Sequence, residues 1–192
     1  MAPLQPTLAR RLSTLKPVNF QFDHAIELRR SRDELFSAKV HDGWDIGGNA
    51  NGGYLLALVS AALCKATSRQ LPIAVSCHYL APINDAEVSI ETQIVKTGKS
   101  FTTATATMRS GERVIVMATG TCGDSLPGGS VTHVTRGAPE IPAFSDAVPR
   151  STTTPGLPGL MSKVDVRLHP DDTGFATGAP NGTALVRGWC AF

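Results

Sequence analysis

The chain has 192 residues, 42% of them hydrophobic and 18% charged, enough to build a packed core and too apolar for a chain disordered by composition. Its 18 Lys and Arg nearly balance its 16 Asp and Glu, leaving a net charge of +2, and no basic stripe interleaves with aromatics, which excludes a nucleic-acid surface. The length suits one large domain, or one domain and part of another.

The opening stretch, MAPLQPTLARRLSTLKPVNF, has no continuous apolar run of the secretory type. It is mildly basic, like a transit peptide, but Pro3 and Pro6 oppose the amphipathic helix such a peptide needs. From 18 to 40, the alternation of Val18, Phe20 and Phe22 and the later anchors Leu35 and Phe36 predict one or two short strands, with the charged stretch 27–34 between them. A Gly/Asn cluster then follows Trp44, the chemistry of a sharp turn, since both residues tolerate positive φ. After it, Tyr54-Leu-Leu-Ala-Leu-Val-Ser-Ala-Ala-Leu-Cys predicts a helix ending near Arg69, with Pro72 beyond it. That helix is apolar on nearly every face, so something must wrap it. It is too short, and interrupted by Ser60, to span a bilayer, and no membrane span is expected.

From Ile73 the period changes to two. Strands are predicted over 73–80, 87–95, 100–108 and 113–122, joined by the turn-forming stretches Pro82-Ile-Asn-Asp, Thr97-Gly-Lys-Ser and Ser110-Gly-Glu. A buried helix followed by an antiparallel meander is an α+β plan in which the sheet curls around the helix. The stretch 124–160 is dense in Pro and Gly and reads as a linker over the surface. Two further strands are predicted over 162–169 and 183–192, with Pro180-Asn-Gly as the turn between them. The sequence stops at Phe192 in an apolar strand without a polar cap. The cysteines Cys64, Cys77, Cys122 and Cys190 have no metal-type spacing and lie in apolar contexts, which fits buried free thiols in a reducing cytoplasm, with a disulfide pair as the lesser alternative.

Trp44, then Asn51-Gly52-Gly53-Tyr54 opening the helix, then His78-Tyr79-Leu80-Ala81-Pro82, then Gly98-Lys99-Ser100-Phe101 resemble, in that order, the amino-terminal half of the acyl-CoA thioesterase II family. The resemblance covers about 20–122 and resumes at Met161, with Val164-Asp165-Val166-Arg167 and Arg187-Gly188-Trp189. It implies the hotdog fold, a long helix wrapped by an antiparallel sheet, with two such units in one chain. On that basis 18–123 is a hotdog domain, 124–160 the linker, and 161–192 the opening strands of a second, incomplete unit. The family's acid, hydroxyl and amide catalytic residues lie on the second unit beyond these strands, so no position here inherits them. The expectation is either a truncated product or a site built from the first unit.

The resemblance implies hydrolysis of an acyl-CoA thioester by water, within lipid metabolism. Gly52 and Gly53 would present bare N–H groups at a positive helix end to the thioester oxygen; alternatively, these glycines only let helix and sheet approach. Asn51 would hold water or the thioester, or act simply as an N-cap. Asp45 is the one carboxylate between Trp44 and the helix, a general base or a turn residue bonding its own backbone. Lys99 and Arg109 would meet the phosphates of CoA, or stand as solvated charges. His78 reads as a hydrogen-bonded strand residue rather than a catalyst. The sequence has no Ser/His/Asp signature, no metal spacing and no phosphate-cradling loop, so neither metal nor cofactor is expected. A hydratase would need a histidine beside an acid at the helix start, and His41 precedes the turn. The alternative to an enzyme is a non-catalytic module that binds acyl-CoA or an acyl chain. Because a single sheet leaves an edge open, two copies are expected to pair as a homodimer or build a higher homo-oligomer, with 161–192 burying Leu185, Trp189 and Phe192 and its removal causing aggregation.

Overall fold

The structure is a computed structural model and describes residues 20–125, 135, 137, 139–150 and 157–191. Helix α2 (Gly52–Thr67) lies against a six-stranded antiparallel sheet built from β1 (Arg29–Arg32), β2 (Leu35–Val40), β5 (Leu71–Tyr79), β6 (Ala86–Thr97), β7 (Phe101–Ser110) and β8 (Arg113–Gly123). Between β2 and α2 sits a small hairpin, β3 (Asp45–Ile46) with β4 (Asn49–Ala50). The sheet order is β1-β2-β6-β7-β8-β5, so β1 and β5 are its edges.

The local patterns explain these elements. Thr102, Ala104, Ala106 and Met108 of β7 face inward and are buried, while Thr103, Thr105 and Thr107 face outward. The outward threonines suit a pleated surface, and Thr103 meets Thr121 of β8 at 3.2 Å between hydroxyls. The helix turns Leu55, Leu58, Val59, Ala62 and Leu63 onto the sheet, each essentially without solvent contact. Helix and sheet approach closely at Gly120, where a Cβ would stand 2.7 Å from Leu63 Cδ1. The helix ends at Ser68, which takes a left-handed conformation (φ 54°). Its second face is only half-buried and made of small or adaptable residues: Leu56, Ala57, Ser60, Ala61 and Cys64.

Three features differ from the sequence expectation. Phe20 and Phe22 do not alternate in a strand; they flank and open a short helix, α1 (Gln21–Ala25), and Val18 lies outside the described residues. The carboxylate of Asp23 caps it by accepting from the Phe20 N–H at 3.1 Å. The charged stretch contains the edge strand β1, whose four residues are all exposed. Among the thiols, Cys122 is buried and Cys64 and Cys77 half-buried, but Cys190 is exposed. Cys64 and Cys122 lie 3.9 Å apart, and burial together with that neighbour pushes the Cys64 thiol up to about 12.

The carboxyl-terminal segment forms its own three-stranded sheet. β10 (Asp165–Leu168) pairs with β11 (Gly188–Ala191) on one side and with β9 (Val148–Pro149), from within the 124–160 stretch, on the other. Leu185 and Trp189, expected to be covered, are 49% and 41% exposed because this sheet does not join the larger one; Phe192 lies outside the described residues. Asp172 ties the segment together, accepting from the Arg187 Nε at 2.9 Å, its Nη2 at 3.2 Å and its backbone N–H at 2.9 Å. The guanidinium holds the Asp172 carboxyl below its ordinary range. A carboxyl depressed on folding stabilises above its unfolded pKa of about 3.9, and this is lost as pH falls through the lower folded value. Acid titration should therefore release amide exchange protection in 165–191 near that range, and Asp172→Asn should remove that acid step.

Candidate active site at the start of the wrapped helix

The glycines between Trp44 and the helix divide into two jobs. Gly47 and Gly48 both have positive φ (61° and 80°), making the two-residue turn of the β3–β4 hairpin. Asp45 closes that turn, its Oδ2 accepting from the Gly48 N–H at 3.1 Å, while Gly159 packs against the same carboxylate. The chain is then clamped into the helix by two backbone bonds: Ala50 N–H to Ile83 O (2.7 Å) and Asn51 N–H to Trp44 O (2.8 Å).

Aromatic contacts fix the first turn from below. Trp44 stacks on Tyr54 with centroids 5.5 Å apart and meets Phe22 at 5.3 Å. The Tyr54 hydroxyl donates to Ala25 O (2.8 Å) and accepts from the His41 N–H (3.1 Å). A buried phenol with both roles filled anchors the helix to α1 and β2.

At the helix start itself, Asn51 is the N-cap, its Oδ1 accepting from the N–H of Gly53 at 2.8 Å and of Tyr54 at 3.3 Å. The Gly52 N–H has no acceptor among the described residues. Gly52 is needed for close approach: a Cβ there would stand 3.2 Å from the Tyr79 ring. Tyr79, at the end of edge strand β5, donates its hydroxyl to Gly52 O at 2.8 Å. The Gly52–Gly53 peptide is thus held at both ends, its carbonyl by Tyr79 and its N–H by Asn51. Partial burial, and the Cys77 thiol beside it, raise the Tyr79 phenol above its ordinary value, so it stays a donor.

This Trp44-to-Tyr79 framework falls inside residues 40–123, which match the family model of the acyl-CoA thioesterase N-terminal domain. The wrapped-helix unit thus carries the match to a thioesterase-like family. Among solved structures, a candidate thioesterase II from Thermobifida fusca is 23% identical with a TM-score of 0.79, over 89% of this chain and 63% of that one. A hotdog-fold protein of unknown function from Alicyclobacillus acidocaldarius is 26% identical with a TM-score of 0.64, over 79% and 56%. A candidate thioesterase from Novosphingobium aromaticivorans is 16% identical with a TM-score of 0.66, over 81% and 61%. The fold is the α+β hotdog, and the chain spans less than two thirds of each of these neighbours. No curated protein matches the chain in sequence.

Within the hotdog unit the expected site residues separate. Asp45, Asn51, Gly52 and Gly53 share one hairpin and helix start. Arg109 lies at the same end of the sheet as Gly52, where its guanidinium donates to Glu112 O at 3.3 Å. Lys99 sits in the β6–β7 turn at the helix's far end, exposed, and roughly 30 Å along β7 from Arg109 at the rise of a strand. His78 is exposed on the outer face, opposite Met117. A cleft of about 440 Å³ lies elsewhere: Gln21, His24, Lys39, His41, Trp44 and Lys163 line it, with Gly52 and Tyr79 outside. Ala25, Ala38 and Trp44 share its walls with charges of both signs, and it does not reach the helix start, which lies beside edge strand β5. Tyr54 and Tyr79 make contacts at the helix start that the sequence alone did not assign. Their signal was present, since each is a polar-tipped aromatic beginning a helix or ending a strand. Among the described residues no helix is long and apolar enough to cross a membrane.

Proposed function

We propose that the hotdog unit hydrolyses the thioester of an acyl-CoA with water. The observation that carries this is the unpartnered Gly52 N–H at the start of a buried helix, inside the segment that matches the thioesterase family. Water attacks the carbonyl carbon, negative charge develops on the oxygen beside Gly52, and the carbon–sulfur bond breaks to give a carboxylic acid and the free thiol of CoA. Gly53 joins as a second donor when Asn51 releases its N–H. The Asn51 Nδ2, without an acceptor among the described residues, holds the water. Asp45 takes the proton the water gives up. Arg109 meets the nucleotide phosphates from the same end, and Lys99 reaches them from a second copy.

Release of free thiol across straight-chain acyl-CoAs, from acetyl to palmitoyl, tests the reading. Binding without release would overturn hydrolysis and support the alternative, a non-catalytic acyl-CoA or acyl-chain module. The bond already made by the Gly53 N–H favours that alternative, because it leaves one free donor rather than two.

The two sheet edges support a homodimer. β1 carries Arg29, Arg30 and Arg32, and like charges repel a second copy. β5 instead presents Leu71 at 43% and Ile73 at 51% exposure, next to the half-buried helix face. Two copies pair isologously along β5, supplying a wall at Gly52. Sedimentation should show a dimer, and Leu71→Lys with Ile73→Lys should shift it to monomer. A monomeric parent chain would end the pairing idea. Free thiols at Cys64, Cys77 and Cys122 support a reducing, cytoplasmic setting.

A further inference from the structure

We infer that Tyr79 is the acyl-group selector of the site, the residue whose ring sets how bulky an acyl group fits beside the thioester; this rests on the acyl-CoA reading above. The Tyr79 ring stands against Gly52 so closely that even a Cβ on that glycine would meet its Cζ at 3.2 Å and Cε1 at 3.4 Å. The Gly52 N–H and that Cβ position branch from the same Cα, so a thioester held by the N–H has the Tyr79 ring on its flank. The ring cannot swing aside freely. Its hydroxyl is tied to Gly52 O at 2.8 Å, and its backbone is in register with Val116 of β8. Tyr79 nonetheless remains 50% exposed, and it ends β5, an edge strand of the sheet.

A fixed aromatic wall sorts small groups by shape. A flexible straight chain slides past an immobile ring, whereas a group branched or ringed at the first carbon collides with it. Removing the ring opens space beside the carbonyl, and a difference of one or two carbons against such a wall is worth about tenfold or more. The hydroxyl contributes differently, because it locks the ring rather than touching the acyl group. Tyr79→Phe keeps the wall and loses the lock; Tyr79→Ala loses both.

The experiment compares butanoyl-CoA with benzoyl-CoA as substrates, and S-butyl-CoA with S-benzyl-CoA as non-hydrolysable ligands, in the full chain and in Tyr79→Phe, Tyr79→Ala and Tyr79→Leu. Tyr79→Ala is expected to raise the benzoyl-to-butanoyl ratio of kcat/KM, and the matching ratio of binding constants, about tenfold. Tyr79→Phe should leave both ratios within about twofold of the parent. Tyr79→Leu, which retains apolar bulk on the strand, gives an intermediate ratio and serves if the alanine variant fails to fold. Ratios that stay at the parent value in Tyr79→Ala and Tyr79→Leu would overturn the selector role while leaving hydrolysis standing. A shifted binding ratio without turnover in any chain would uphold the selector and remove hydrolysis. A parent chain that neither binds the thioethers nor cleaves the thioesters overturns both.

Discussion

Gly52→Pro should lower kcat for acyl-CoA hydrolysis by about 100- to 1,000-fold while leaving the helix in place, because it deletes one oxyanion donor and little else. Proline is well tolerated at the first helical position, where its missing N–H would have had no helical partner. The preceding residue is already suited to it, since Asn51 has φ −59° and ψ 137°, the extended conformation that a following proline demands. The added Cβ faces the Tyr79 ring at 3.2 Å. Gly52→Ala carries the same Cβ and keeps the N–H, so it separates the two effects. A proline variant with parent kcat and an unchanged circular dichroism spectrum would show that the Gly52 N–H binds nothing in the reaction.

Leu58→Ala should destabilise the protein by about 3 kcal/mol, the range of a leucine truncated in a rigid core. Leu58 has no solvent contact and lies midway along the helix, on the face turned to the sheet. Urea unfolding should show the loss as a lower midpoint with an unchanged slope. Leu56→Ala, on the half-buried face of the same helix, should cost less in the monomer. If the chain pairs along β5, the Leu56 variant should weaken the dimer. A cost at Leu58 below about 1 kcal/mol would mean that the core relaxes into the space, against the close packing seen where Leu63 bears on Gly120.

Most of the framework could be read from local pattern. The Ala/Leu run had to be a helix, and the period-two stretches after Ile73 had to be strands, because side-chain periodicity is set by backbone geometry before any tertiary contact forms. Asn51 as a cap was legible for the same reason, since the cap and the N–H groups it accepts from lie within three residues. The short helix at Gln21–Ala25 was not, because Phe20 and Phe22 mimic a strand's alternation. Phe22 is apolar for its contact with Trp44, a partner the local pattern does not reveal. Distance along the chain also hid Tyr79: its bond to Gly52 joins a strand end to a helix start across 27 positions. Lys99 and Arg109 read in sequence as phosphate contacts or solvated charges; Lys99 lies before the start of the ten-residue strand β7 and Arg109 next to its end.

Strand order also dictates when this site comes into being as the chain folds. β6, β7 and β8 follow one another through tight turns, so each pairing closes only a few residues and can zip early. β2 reaches β6 only after a loop from Val40 to Ala86 has closed around the helix, and that entropy must be lost before any bond repays it. β5 docks on β8 across the β6–β7 hairpin, with a single neighbour to hold it. The Tyr79–Gly52 contact exists only once β5 and α2 are both seated, so it belongs to the last steps of assembly and the first of unfolding. The proposed hydrolysis should therefore disappear ahead of the central meander when the protein is heated, because its donor is seated on an edge of the sheet.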